Sequence, residues 1–235
     1  METPEIVKDN LQRVREKINE AAIKSGRDSG SVTLLAVTKR IDSRRIVAAY
    51  QAGQRLFGEN RVQEALGKLP GLKVLIPDSR WAMIGHLQSN KASKAVELFD
   101  EIHSVDSIKL AEEIGARALK NNLEIAVLIE VNSSGETAKF GVEIQKTVEL
   151  VSQISGLAGI KVSGLMTMGP HTEDKSRIAR SFALTRETIE KARKTLGLKL
   201  PVLSMGMSGD FEIAIAEGSN QVRLGTALFG ERTPL

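Results

Sequence analysis

PVLSMGMSGDFEIAIAEGSNQVRLGTALFG, residues 201–230, holds two short apolar runs, PVLSM (201–205) and QVRLG (221–225), each followed by a polar turn and a stretch that can form a helix. Runs of this length bounded by turn residues read as buried strands. The segment therefore predicts two consecutive strand–helix units. The same unit recurs toward the N-terminus, with strands expected at VTLLAV (32–37), RLFG (55–58), WAMIG (81–85), EIHSV (101–105), IAVLIEV (125–131) and VSGLMTM (162–168). Eight strands alternating with helices, at roughly 25 to 30 residues per unit, predict an α/β fold of the TIM-type (β/α)8 barrel kind. A doubly wound open sheet is the competing arrangement, but it ordinarily uses fewer strands. An extra helix should precede the first strand, because Val7, Leu11, Val14, Ile18 and Ala21 form one apolar stripe. The next helix should be capped by Asp42 and stop at Gly53, and a later one should open at Asp106. No long linker or low-complexity tract divides the chain, so residues 1–235 read as a single domain.

Composition narrows the chemistry. The chain has no cysteine, which removes disulfides, thiolate metal sites and thiol nucleophiles. Thirty-three Lys and Arg against 29 Asp and Glu give a net charge of +4. The bases are interleaved with acids, as in KDNLQRVREKINE, and aromatics are only 3% of the chain. A nucleic-acid footprint would need a clustered basic face and stacking side chains, so no nucleic-acid partner is expected. The N-terminal stretch has no apolar core followed by a small-residue cleavage site. No apolar run approaches the ~18 residues of a membrane span. A cytoplasmic location without membrane contact is the expectation.

In a barrel, functional groups gather where the strands end. The expected exits deliver Lys39, Asn60, His86, Asn132, Met166 to Gly169, Ser204 to Ser208 and Arg223 to Thr226. Lys39 follows six uncharged residues of strand character, so its stem should start inside the barrel mouth. A partly desolvated amine there would have a lowered pKa and could attack an aldehyde, although a lysine at a strand end is, taken alone, more often one that snorkels to solvent. The last two exits offer Ser204, Ser208, Gly225 and Thr226 at helix starts, where such barrels hold phosphate. Either segment by itself could be an ordinary glycine turn with serine caps; both at the two final strands favour a phosphate. Neither a GxxxxGK[ST] run nor a GxGxxG after the first strand is present, which disfavours nucleoside triphosphates and dinucleotides. His86, His103 and His171 lack the spacing of a helical metal pair, and no metal site is expected. His86 reads instead as a ligand neighbour or a satisfied core residue, and Met166 by default as core.

The blocks LLAVTK ending at Lys39, FGENRVQE around Asn60, WAMIGHLQSNK around His86, GLMTMGP around Met166, and LSMGMSGDFEIAIAEGSNQVRLGTALFG resemble the pyridoxal phosphate homeostasis protein family, also called the YggS or proline synthase co-transcribed family. The resemblance extends over essentially the whole chain. It implies a barrel similar to the N-terminal domain of alanine racemase, of fold type III, with pyridoxal 5′-phosphate (PLP) held as a Schiff base on Lys39. It also implies phosphate contacts from Ser204, Ser208, Gly225 and Thr226, Arg223 facing the pyridine nitrogen, and Asn60, His86 and Met166 flanking the ring. One departure is Arg40, where many family members carry a small or neutral residue.

Racemases of this fold need a second base, a tyrosine from another domain. This chain has one tyrosine, Tyr50, in an early helix. A guanidinium beside the pyridine nitrogen opposes protonation there and weakens the ring as an electron sink. The expected function is therefore a PLP carrier or buffer acting in cofactor homeostasis, and through it on amino-acid and keto-acid balance, with no residue assigned to catalysis. Its expected partners are the small-molecule cofactor and apo enzymes that receive it, with the chain working as a monomer. The alternatives are a weak PLP-dependent amino-acid racemase and a cofactor-free barrel enzyme acting on phosphorylated sugars.

Overall fold

The computed structural model describes residues 3–136 and 140–230. Its strands are β1 (Thr33–Val37), β2 (Leu56–Glu59), β3 (Arg80–Met83), β4 (Glu101–Val105), β5 (Ile125–Asn132), β6 (Val142–Glu143), β7 (Ile160–Thr167), β8 (Val202–Ser204) and β9 (Gln221–Leu224). All but β6 form a closed parallel barrel, in which β9 returns to β1 with Leu35 opposite Arg223. The eight expected strands are all present and the open sheet is excluded. The two-residue β6, which the sequence did not announce, extends the sheet at the end of β5.

The helices are α1 (Thr3–Lys24), α2 (Ser43–Gln51), α3 (Val62–Leu75), α4 (Ala92–Leu98), α5 (Ile108–Lys120), α6 (Ile144–Ser155), α7 (Lys175–Leu196), α8 (Phe211–Ala216) and α9 (Thr226–Phe229). Asp42 caps α2 by accepting from the Arg45 amide, and Gly53 beyond its end has a φ of 90°, a left-handed geometry that suits glycine. The cap of α5 is Ser107, whose hydroxyl accepts from Leu110 N, and not Asp106 as the sequence suggested. Asp106 instead turns its carboxylate toward His86, 3.8 Å away. Ser and Asp are nearly equivalent caps, so adjacent candidates are separated only by where the chain enters the helix.

Alternation along the strands divides the core in two. Leu34, Ala36, Phe57, Trp81, Met83, Val127, Ile129, Leu165 and Val222 join one apolar cluster with the helices, within which the Phe57 and Trp81 rings stack at 5.1 Å. The α1 stripe, Val7, Leu11, Val14, Ile18 and Ala21, is buried in the same cluster, where α1 meets α2, α8 and α9. Burial of each large apolar side chain of that stripe contributes roughly 1.5–3 kcal/mol toward docking α1 on the barrel.

The barrel interior is different. A Cβ on Gly58 would lie 2.5 Å from Leu35 Cδ2 and 3.2 Å from Ile84 Cδ1, which sets these three residues on the inner face. Leu35, Ala82, Leu128 and Met166 are buried, and with them lie the polar residues Glu101, His103, Glu130, Gln221 and Arg223. Glu101 accepts from Arg80 and lies 2.8 Å from His103 Nε2. Burial holds the His103 pKa below the ordinary imidazole value. Continuing the alternation on β1 and β2, the next positions of inward parity are Lys39 and Asn60.

Candidate functional site

Lys39 is half-buried in the turn that leaves β1, and Arg40 beyond it has a φ of 59°. The left-handed region costs a residue with a side chain of order 1 kcal/mol, so this turn is held by its surroundings. Asn60 stands half-buried at the end of β2. Gly85 permits the close approach of the next exit: a Cβ there would lie 2.3 Å from the Asn60 carbonyl oxygen. Because that oxygen is backbone, Gly85→Ala must displace one of the two loops. A loss of about 1–3 kcal/mol in urea unfolding is expected; unchanged stability would show that the loops give way freely.

His86, just past Gly85, lies flat against Phe140, with ring centroids 3.8 Å apart and 11° between planes. The Asp106 carboxylate lies 3.8 Å from Nδ1 of the same ring, which is otherwise exposed. Phe140, half-exposed itself, was not anticipated. No periodic pattern marks a lone aromatic in a loop.

Arg223 forms the floor. Only 4% exposed, its Nη1 donates to the Ser204 carbonyl and hydroxyl, both at 2.9 Å, and its Nη2 donates to the Thr167 carbonyl at 2.8 Å. The guanidinium thus ties β9 to the ends of β8 and β7. Thr167 is held in turn through its hydroxyl, which contacts Ser133, and Ser133 contacts Ser181 of α7. Burial lowers the Arg223 pKa to about 10, against the opposing pull of Glu130 and Asp210, and leaves it cationic at neutral pH. Met166, fully buried on β7, pairs in register with Ser204 on one side and Glu130 on the other. Glu130 is a site residue that sequence reasoning missed, although a carboxylate inside IAVLIEV was a usable signal. Its Oε2 is buried without a hydrogen-bond partner. Burial, with Asp106 adding to it and Arg223 opposing, pushes its pKa up to about 7.

The two serines assigned together to a phosphate are placed differently. Ser204 is fully buried against Arg223, whereas Ser208 is exposed in the loop before α8. Having accepted from Arg223, the Ser204 hydroxyl still has a proton to donate. The loop doubles back at Gly206, whose φ is 95° and whose Cβ would lie 2.6 Å from Ala214 Cβ. Beyond it, a Cβ on Gly209 would meet nothing within 4 Å, so open space lies against this backbone. Gly225 precedes α9, and its Cβ would sit 3.0 Å from the Val37 carbonyl. That contact brings the β9 exit, with Thr226 exposed after it, up to the β1 exit that carries Lys39. An amine, a buried cation and an open cradle beside Ser208 therefore occupy one end of the barrel. Tyr50 does not belong to this end. Its hydroxyl contacts Asp78, before β3, and Arg55, before β2, lies over its ring at 4.1 Å. Among the described residues, no three or more His, Cys, Asp or Glu side chains are grouped to hold a metal ion. Nor is any helix among them long and apolar enough to cross a membrane.

The pattern that defines the alanine racemase N-terminal domain matches residues 7–233. A pyridoxal phosphate homeostasis protein from Aquifex aeolicus is 43% identical over 224 residues, covering 95% of this chain and 97% of that one. The Escherichia coli protein of the same name is 39% identical over 229 residues, 95% of each chain. Among solved structures, PipY of Synechococcus elongatus with PLP bound superposes with a TM-score of 0.83 at 36% identity, covering 95% of this chain and all of the other.

Proposed function

Because the chain belongs to the alanine racemase N-terminal domain family, and within it to the pyridoxal phosphate homeostasis proteins, we propose that it binds PLP at the barrel mouth as a Schiff base on Lys39 and acts as a carrier or buffer in PLP homeostasis. The observation that carries this reading is the buried Arg223 guanidinium, fixed by three hydrogen bonds beneath the strand exits that hold Lys39 and the open cradle. The residues present fit the cofactor. Lys39 supplies the amine. Ser208 beside Gly209 and, on the neighbouring β9 exit, Gly225 and Thr226 would supply the contacts that hold a phosphate, and Ser204 retains a donor next to Arg223. Asn60, His86 and Met166 would bound the ring.

PLP, when bound, supplies an aldehyde that amines can capture and a ring able to withdraw electrons. What this chain does with it follows from its own groups. Arg223 has donors only, so facing the pyridine nitrogen it cannot accept a proton from it and disfavours a second positive charge there. Tyr50, at the far end of the barrel, offers no second base at the mouth. Holding and releasing the cofactor suits this arrangement better than turnover. Apo enzymes are the proposed recipients, and the chain is proposed to act as a monomer in the cytoplasm.

The test is spectroscopic. The purified protein should be yellow, and borohydride should fix the cofactor irreversibly on Lys39. Lys39→Ala should still bind PLP, since several charge-assisted or backbone hydrogen bonds to one phosphate are worth roughly 1.5–3 kcal/mol each, but should yield no fixed adduct there. A peptide map with the adduct solely on another lysine would overturn the assignment. Sustained formation of D-alanine from L-alanine would overturn the carrier reading.

A further inference from the structure

Beneath Lys39 lies an ionic cluster to which the proposed function gives no role. Glu59, at the end of β2, has a fully buried side chain; Lys68 and Glu64, one turn apart on α3, are 12% and 24% exposed. Lys68 Nζ donates to Glu59 Oε1 at 2.9 Å, to Glu64 Oε1 at 2.8 Å and to the Thr38 carbonyl at 3.0 Å. An ammonium has three protons, and three acceptors use them all. Thr38 adds a second tie, its hydroxyl donating to Glu59 Oε1 at 2.6 Å. On the other side of Lys39, the Arg40 amide donates to Glu64 Oε1 at 2.6 Å.

These contacts fall on the two peptide units that flank Lys39. The Thr38 carbonyl belongs to the unit before it and the Arg40 amide to the unit after it. From this we infer that Glu59, Lys68 and Glu64 form a clamp that fixes the backbone on both sides of Lys39 and so sets where its amine stands. They are positioning residues, acting through Thr38 and Arg40. The inference rests on the reading of Lys39 as the attachment lysine.

Two further facts support it. Arg40 occupies the left-handed region, a conformation that persists in a residue with a side chain only when its surroundings determine it, and the Glu64 carboxylate is such a determinant. Burial would raise the Glu64 pKa, but hydrogen bonds from Lys68 and the Arg40 amide, with the Lys68 charge, outweigh it and hold the carboxyl below its ordinary value. The acceptor is therefore ionised at neutral pH. An exposed pair of this kind would contribute little, whereas here Lys68 faces a wholly buried carboxylate.

The test uses the full-length protein freed of cofactor and a probe without a phosphate. Pyridoxal is added with cyanoborohydride. The Lys39 amine adds to the aldehyde carbon, water leaves, and hydride reduces the resulting double bond. The rate of labelling at Lys39, read by peptide mass and divided by that of the exposed lysines, reports amine placement without involving the phosphate cradle. Glu64→Ala and Lys68→Met should each slow Lys39 at least fivefold. Glu64→Gln keeps an oxygen for the Arg40 amide and should remain within twofold of wild type, a rescue that loss of packing alone would not produce. If Lys68→Met does not fold, the Glu64 pair decides. Wild-type labelling of Lys39 in a folded Glu64→Ala variant would overturn the clamp. A wild type labelled readily at exposed lysines and not at Lys39 would instead sink the reading of Lys39 as the attachment point, and the clamp's purpose with it.

Discussion

Arg223→Met should lower the unfolding free energy by roughly 3–5 kcal/mol, the range for removing one member of a buried charged network. Its size follows from what the guanidinium leaves behind. The carbonyls of Ser204 and Thr167 and the Ser204 hydroxyl each lose a charged donor in a fully buried setting, and such bonds are worth roughly 1.5–3 kcal/mol apiece. Glu130 loses the cation that lowers its pKa. Relief from burying a charge offsets part of the loss, and the methionine stem replaces part of the packing. For a chain of this length, roughly 2–4 °C per kcal/mol translates into a fall in melting temperature of about 10 °C. Calorimetry of the cofactor-free protein is the measurement, so that loss of ligand does not contribute. A fall below 2 °C would show that Arg223 does not tie β7, β8 and β9 together. Arg223→Glu should be worse tolerated still, because it adds a third carboxylate to an interior that already holds Glu101 and Glu130.

Glu130→Gln should change how stability depends on pH. Burial raises the folded-state pKa of Glu130 to about 7, above the ordinary value near 4.3 that the unfolded chain keeps. The folded protein therefore holds this proton more tightly than the unfolded one. The stabilisation is complete below about pH 4.3 and is lost as pH rises to about 7, amounting to about 4 kcal/mol, an order-of-magnitude figure. Gln does not titrate. The difference in unfolding free energy, variant minus wild type, should accordingly increase by about this amount between pH 4.3 and 7 and level off above it. Taking the difference cancels Glu64 and Glu101, whose lowered pKa values act in the opposite direction. Urea unfolding at five or six pH values measures it. A flat difference would mean that Glu130 is ionised in the folded state throughout.

The alternation of apolar runs and amphipathic stretches set the (β/α)8 topology, because period 2 and period 3.6 are properties of neighbours along the chain. The Asp42 cap, the Gly53 stop and the polar character of each strand exit were legible for the same reason. Asp106 was misread because two equivalent caps stood side by side. Phe140 against His86, the Ser204 bond to Arg223 and the Lys68 clamp were not legible, since each joins residues brought together only when the barrel closes and its register is set. Glu130 and Arg223 show the division most clearly. The sequence determined that a carboxylate and a guanidinium occur on strands; the tertiary structure decided that both point into a closed barrel, where loss of water shifts the two pKa values toward each other. Periodicity is local and survives without the fold, whereas desolvation and partner choice exist only after distant strands have paired.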